Sequence, residues 1–202
     1  MKSSPQLFVF SFAVAFAMII VLFFKPVQAS DLDGWTYEPP WHGGCPSFTQ
    51  EQLDVLVVAI EIGGHHDKEL YAVIGDNVRY TTMAIVSRES FVGEYIIRQN
   101  PRDGVTGSYG VMHVLVTTAF ADIYEMGYTW RNRSLFESEW IVSMLTDDRA
   151  AIRDGYAVLK SKIIQHGSLW AGVKAYNGAG HLAERYMQDV RYRVNKLIDC
   201  GY

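Results

Sequence analysis

The sequence predicts a mainly α-helical domain that follows a separate N-terminal segment. Three observations lead to this prediction. Apolar residues recur at three- and four-residue spacing in most segments beyond residue 49, residues that cap helices precede several of these segments, and the alternating pattern of strands is scarce. The 202 residues suffice for one ordinary domain with a proper core, but not for two large ones.

The N-terminal segment, residues 1–29, is predicted to be an export signal or a membrane anchor. Residues 7–24 are uncharged and mostly apolar, and Lys2 precedes them. This length is at the lower limit for a membrane span, whereas Val27 and Ala29 suit the small-residue pattern at which a signal peptide is cleaved. In both alternatives the rest of the chain is exported to the periplasm or cell envelope, and an uncleaved segment would anchor it to the inner membrane.

Residues 30–48 are predicted to be a linker, because they are rich in Gly, Pro and aromatic residues. Cys45 and Cys200 are the only cysteines, and an even number in an oxidising compartment predicts one disulfide. The alternative is two separate buried thiols. Such a bridge would stabilise the fold by about 3–5 kcal/mol in the chain-entropy model. No metal is expected at either cysteine, because neither has a close Cys or His partner in the sequence.

The domain of residues 49–202 begins with a helix over about residues 50–62. Thr49 and Gln52 form a capping box at its start, and the glycines 63–64 end it. The two histidines that follow, 65–66, are adjacent on a loop and lack further ligands at a useful spacing. We therefore expect an exposed turn there and no metal.

A second helix is predicted from Asp76 or Asn77 to Ser90, with one face buried through Met83, Val86 and Ile85. The glycines and the proline of residues 100–110 interrupt regular structure after it. Further helices are predicted from Thr117 or Thr118 to Met126 and over residues 141–145, 152–164, 169–176 and 181–197.

Composition and motifs exclude several classes of function. The chain carries 18 Lys and Arg against 22 Asp and Glu, a net charge of −4, so the basic field of a nucleic-acid binder is missing. The sequence has no G-x-S-x-G, no H-E-x-x-H and no phosphate-binding loop. A hydrolase with a serine nucleophile, a zinc protease and a nucleotide-binding enzyme are therefore not expected.

Glu89 is the strongest candidate for a catalytic group. It falls in the last turn of the second helix, where the negative end of the helix dipole opposes a negative side chain. Apolar neighbours such as Phe91 and Val92 would also desolvate it. Both effects predict a raised pKa for the Glu89 carboxyl, which suits a general acid near neutral pH.

Four stretches of sequence extend this interpretation. They are Ile85-Val-Ser-Arg-Glu89-Ser90, Gly107-Ser-Tyr-Gly110-Val-Met112-His113, Thr117-Thr-Ala119 and Ala175-Tyr176-Asn177-Gly178-Ala-Gly180. Together they resemble the lysozyme-like catalytic domain of the soluble lytic transglycosylases. In that family a Glu-Ser pair ends the catalytic helix, a Gly-x-x-Gly-Leu-Met-Gln stretch lines the groove, and an Ala-Tyr-Asn-Ala-Gly turn faces the acid. The resemblance covers about residues 83–197 and implies a lysozyme-like helical fold with a catalytic groove.

The resemblance also implies roles for individual residues. Glu89 would be the single acid and base, and Tyr176 would orient and polarise the reacting sugar. His113 stands where the family has Gln, and we expect it to be a tolerated groove residue. The implied substrate-binding residues are Ser90, Tyr109, Met112, His113, Asn177 and Tyr192, with Asn177 also holding its turn.

The function implied by the resemblance is cleavage of the bond between N-acetylmuramic acid and N-acetylglucosamine in peptidoglycan, with formation of a 1,6-anhydro end. Neither a cofactor nor a metal is expected, and the protein is expected to act on glycan strands as a monomer. One alternative is a hydrolytic muramidase in which Asp103 or Asp122 positions a water. The other is a non-catalytic glycan-binding or assembly component of a secretion, conjugation or phage-entry machine.

Overall fold

The computed structural model describes residues 44–64, 77–99, 107–120 and 130–202, together with Trp41, Leu70 and Ile74. These residues form helices and one small antiparallel sheet, which confirms the predicted mainly α class. The predicted signal or anchor, residues 1–29, and the histidines 65–66 lie outside the described residues. The helices within the described ranges are α1 (Gln50–Gly64), α2 (Asn77–Ser90), α3 (Val116–Ala119), α4 (Trp130–Thr146), α5 (Asp148–His166), α6 (Leu169–Asn177) and α7 (Gly180–Asp199).

Helix α2 forms the centre of the core. We predicted one buried face, but every side chain from Thr81 to Ser87 is buried. The difference arises because α1 and α7 both pack against α2. Polar side chains tolerate this burial where they are hydrogen-bonded, and the Thr82 hydroxyl donates to the Val78 carbonyl at 2.9 Å. The last residues of α2, including Glu89, therefore directly follow a fully buried stretch of the helix.

The sheet consists of β1 (Ile97–Gln99), β2 (Gly107–Tyr109) and β3 (Val114–Leu115), paired antiparallel in this order. Ile97 lies opposite Tyr109, and Tyr109 opposite Val114. The sequence analysis missed the sheet, because strands of two or three residues are too short to show an alternating pattern. The sheet brings the turn between β2 and β3 toward the end of α2.

The helix predicted to be capped by Thr117 or Thr118 differs from α3. Helix α3 begins at Val116, with Leu115 in the cap position making no side-chain hydrogen bond, and Phe120 follows its last residue. Both threonines lie inside the helix, so the predicted cap is wrong. Residues 121–127 of the predicted helix lie outside the described part of the chain.

Helices α5, α6 and α7 lie where helices were predicted, although α5 begins at Asp148 and not at residue 152, and local side chains cap α5 and α6. Asp147 accepts a hydrogen bond from the Ala150 amide at 3.0 Å at the start of α5. Gly167 ends α5 in the left-handed conformation at φ 71°, and Ser168 accepts from the Ala171 amide at the start of α6. Helix α4 is longer than the predicted residues 141–145. Helices α5 and α6 pack closely, and a Cβ added at Gly172 would lie 2.6 Å from the Ile163 Cα.

The predicted disulfide is confirmed, since Cys45 and Cys200 are bonded with their Cα atoms 5.6 Å apart. The bridge lies beside residues of the predicted linker that pack on the domain. Trp41 is buried, and the Phe48 ring contacts the Tyr202 ring edge-on at 5.2 Å. Within the described residues, no helix combines the length and apolar character that crossing a membrane requires.

Candidate active site

Glu89 lies in the last turn of α2, as predicted, with only 5 % of its side chain exposed. The chain turns sharply after it: Phe91 and Val92 have φ angles of 54° and 59°, and Gly93 has 88°. Positive φ is uncommon for any non-glycine residue and a clear outlier for a β-branched one such as Val92. Each such residue costs on the order of 1–3 kcal/mol, so the surrounding contacts must hold this turn in place.

Ser90 supplies the main contacts that hold the turn. Its hydroxyl donates to the Val86 carbonyl at 3.1 Å and accepts from the Gly93 amide at 2.9 Å, and the whole side chain is buried. Gln52 of α1 donates to the Phe91 carbonyl at 3.2 Å. The structure thus places Ser90, which we predicted to bind substrate, in the support of the turn behind Glu89.

His113 is the nearest ionisable partner of Glu89. It lies in the turn between β2 and β3 with φ 49°, and its amide donates to the Gly110 carbonyl at 3.0 Å. Its Nδ1 atom lies 3.2 Å from Glu89 Oε2, and its Nε2 atom lies 2.6 Å from the Tyr95 carbonyl oxygen. The side chain is only 7 % exposed, so the imidazole and the carboxylate meet in a mostly buried contact.

The pKa of Glu89 is lowered, so the prediction of a raised pKa is wrong. Burial raises the pKa of this carboxyl, but the hydrogen bond and charge of His113 lower it, as do the charge of Arg88 and the Tyr186 hydroxyl. The lowering effects exceed the effect of burial. The sequence showed the helix end and the apolar neighbours, but His113 is 24 residues away and reaches Glu89 only through the sheet.

Two tyrosines, the partly buried Tyr176 and the buried Tyr186, accompany the carboxylate. The Tyr176 hydroxyl donates to the Met112 carbonyl at 2.8 Å. Burial and the Glu89 charge raise the pKa of both phenols well above their usual value, so both keep their protons. The Tyr186 hydroxyl helps lower the pKa of Glu89, although no acceptor among the described residues lies in regular hydrogen-bond geometry with it. Tyr176 was predicted from the resemblance, whereas the sequence analysis missed Tyr186.

A charged network lies behind Glu89. Asp189 of α7 binds two arginines: Arg88 Nε lies 2.6 Å from its Oδ2, and Arg193 Nε donates to its Oδ1 at 3.2 Å. Arg193 is fully buried and also donates to the Ser87 hydroxyl at 2.9 Å. The network therefore ties α7 to Ser87 and Arg88, the two residues directly before Glu89 in α2. An arginine on the buried face of an amphipathic helix was the available signal for it.

Replacing Asp189 by asparagine is expected to lower the free energy of unfolding by about 2–3 kcal/mol, because Arg193 would keep a buried charge without its counter-ion. Urea unfolding followed by circular dichroism measures the change. Asp199→Asn, at an exposed position of the same helix, is the matched control and should change stability by less than about 0.5 kcal/mol. An Asp189→Asn protein as stable as the control would show that the network contributes nothing.

The other predicted substrate-binding residues have different surroundings. Met112 is fully buried, and its side chain packs where a Cβ on Gly155 would be 2.6 Å away, while its carbonyl oxygen accepts the hydrogen bond of Tyr176. The Tyr109 ring contacts the Trp140 ring edge-on at 6.4 Å. Asn177 is the exposed last residue of α6, and the Tyr192 hydroxyl donates to the Trp41 carbonyl at 3.3 Å.

Within the described ranges, no three His, Cys, Asp or Glu side chains are grouped so that they could hold a metal ion. No protein-family model matches the chain, and no curated protein matches its sequence. A nearly buried carboxylate in contact with an imidazole, beside two neutral phenols, is suited to proton transfer.

Proposed function

We propose that the protein is a lytic transglycosylase that cleaves the β-1,4 bond between N-acetylmuramic acid and N-acetylglucosamine in peptidoglycan. The observation that carries the proposal is Glu89, a nearly buried carboxylate at the end of the core helix, in the sequence context that resembles this family. Tyr176 supports the proposal. The resemblance implies a tyrosine that faces the acid, and Tyr176 lies close enough to Glu89 for the charge of the carboxylate to raise the pKa of its phenol.

The charges around Glu89 favour a mechanism with one carboxylate. Ordinary glycosidases need two, separated either by 5–5.5 Å or by enough room for a water. The described groups that shift the pKa of Glu89 are His113, Arg88 and Tyr186, and none of them is a carboxylate. Asp103 and Asp122, one of which would position the water in a muramidase, lie outside the described residues.

The proposed reaction has two proton transfers at Glu89. The carboxyl first gives a proton to the glycosidic oxygen as its bond to C1 of N-acetylmuramic acid breaks, and the substrate's own N-acetyl group assists departure. The carboxylate then takes the proton of the C6 hydroxyl as O6 bonds to C1. The products are a new N-acetylglucosamine hydroxyl and a 1,6-anhydro ring, so neither water nor a cofactor is consumed.

The confirmed disulfide supports action in an oxidising compartment outside the cytoplasm. We therefore place the protein in the periplasm or cell envelope, with peptidoglycan glycan strands as its partner. Residues 7–24 would serve as the export signal or as an inner-membrane anchor. A monomer suffices for this proposal, because Glu89, His113 and both tyrosines belong to one chain.

The test is digestion of purified sacculi followed by mass spectrometry of the released muropeptides. Products with 1,6-anhydro ends are expected. Reducing N-acetylmuramic acid ends would instead identify a hydrolytic muramidase. Binding of sacculi without release of any product would identify a non-catalytic glycan-binding component.

A further inference from the structure

We propose that His113 and Glu89 share one proton, with His113 supplying and recovering the proton that Glu89 transfers to and from the sugar. This inference rests on the proposed function, and it makes His113 part of the proton-transfer machinery. The sequence analysis treated the same histidine as a tolerated groove residue. The geometry of the two side chains and of the Tyr95 carbonyl carries the inference.

The Tyr95 carbonyl determines which ring nitrogen carries the hydrogen when His113 is neutral. A carbonyl oxygen can only accept, so the 2.6 Å contact requires a hydrogen on Nε2. A neutral His113 is therefore the Nε2–H tautomer, and its Nδ1 atom has a free lone pair. The proton that His113 gains or loses is the one on Nδ1, which lies 3.2 Å from Glu89 Oε2.

Because the contact is buried, the proton moves directly between His113 Nδ1 and Glu89 Oε2. With side chains 7 % and 5 % exposed, little water can take the place of either partner. If the pair held no proton, the Nδ1 lone pair would face a charged carboxylate oxygen at 3.2 Å, which is repulsive. One proton between the two atoms removes the repulsion. It forms an ion pair when it is on Nδ1 and a carboxylic acid hydrogen-bonded to the ring when it is on Oε2.

The cationic and phenolic groups around the pair keep their protons near neutral pH. Arg88 of α2 is cationic and bound to Asp189 of α7. Tyr176 of α6 and Tyr186 of α7 stay neutral, because burial and the Glu89 charge raise the pKa of both. On the loop after α2, Glu94 is exposed and interacts with the Tyr95 hydroxyl. The exchangeable proton near neutral pH is therefore the one shared by Glu89 and His113.

The pair also resolves how a carboxyl with a lowered pKa can act as an acid. The resting ion pair transfers its proton from Nδ1 to Oε2, and the carboxyl passes it to the glycosidic oxygen as the C1–O bond breaks. Glu89 is then a carboxylate beside a neutral imidazole. As O6 bonds to C1, the C6 hydroxyl returns one proton to the pair, so the pair ends the cycle with the proton count it began with.

The first test compares the pH dependence of kcat/KM in wild type, His113→Gln and His113→Asn. In wild type the alkaline limb reports loss of the shared proton. In the variants Glu89 must hold the proton alone, and carboxyls lose protons at lower pH than imidazoles, so the limb should move down by about one pH unit or more. Activity should survive at acidic pH. His113→Asn is included because Asn tolerates the left-handed backbone at φ 49° better than Gln does.

His181→Gln, at an exposed position of α7, is the matched control and should keep the wild-type profile. An alkaline limb that stays in place in both His113 variants would overturn the proposal, because it would leave His113 no part in the proton transfer.

The second test needs no substrate and follows the Glu89 carboxyl carbon by NMR titration, with Glu89→Gln assigning the signal. The pKa of Glu89 should lie below its usual value in wild type and rise in both His113 variants, because burial would no longer be opposed by the imidazolium. An unchanged Glu89 titration would overturn the shared proton even in a protein that cleaves peptidoglycan. The expected titration in a protein that does not cleave it would instead keep the pair and remove the proposed function.

Discussion

Glu89→Gln is expected to lower peptidoglycan cleavage at least about 100-fold, the typical contribution of general acid catalysis, while the protein remains folded. Glutamine keeps the size and the hydrogen-bonding oxygen of glutamate but can neither give nor take the proton. His113 can still place a neutral ring beside it, so the packing at the end of α2 should change little. Release of muropeptides from sacculi measures the activity, and thermal unfolding measures the integrity of the fold.

Glu94→Gln is the matched control, because Glu94 is an exposed carboxylate only five residues further along the chain. It should cleave sacculi at the wild-type rate and show that loss of one negative charge near Glu89 in the sequence is not the cause. A Glu89→Gln protein that retained more than about a tenth of the wild-type rate would rule out Glu89 as the acid.

The parts of the fold that could be predicted are those whose cause is local in sequence. The capping box at the start of α1 is present as predicted, with the Thr49 amide donating to Gln52 Oε1 at 3.0 Å and the Gln52 amide donating to Thr49 Oγ1 at 3.3 Å. These contacts join residues only three positions apart. The sheet was missed because each strand is stabilised by a partner strand that the sequence pattern of two or three residues does not reveal.

The same distinction separates what was predicted of the site from what was not. The position of Glu89 follows from the end of its own helix, which the sequence shows. The direction of its pKa shift depends on His113, and Tyr186 reaches the carboxylate because α7 packs on α2. Packing between distant elements therefore decides the electrostatics of the site, whereas local signals decide where the acid lies.

Removal of the disulfide is expected to have the largest effect on stability. Cys45 and Cys200 are separated by 155 positions, and cross-linking so long a loop restricts the unfolded chain strongly. Replacing both cysteines by alanine should lower the free energy of unfolding by about 3–5 kcal/mol in the chain-entropy model. Urea unfolding of the oxidised wild type and of the double variant measures the difference.

The bridge also helps to hold Trp41 and residues 44–48 on the domain, so its loss should lower activity when the protein is warmed. The Arg193 guanidinium lies 4.8 Å from the centre of the Trp41 ring, four residues before Cys45, and the same arginine donates to Ser87. Trp41 packs into the core, and the Tyr202 hydroxyl donates to the Pro46 carbonyl at 2.6 Å. Without the bridge, this N-terminal segment of the domain should therefore stay bound to the helices at low temperature and detach first on heating. We expect the double variant to cleave sacculi normally at 15 °C and to lose activity well below the inactivation temperature of wild type.

Dithiothreitol should reproduce the loss in wild type and leave the double variant unchanged. A fall in stability of less than about 1 kcal/mol would mean that contacts of the segment, and not the bridge, hold it to the domain.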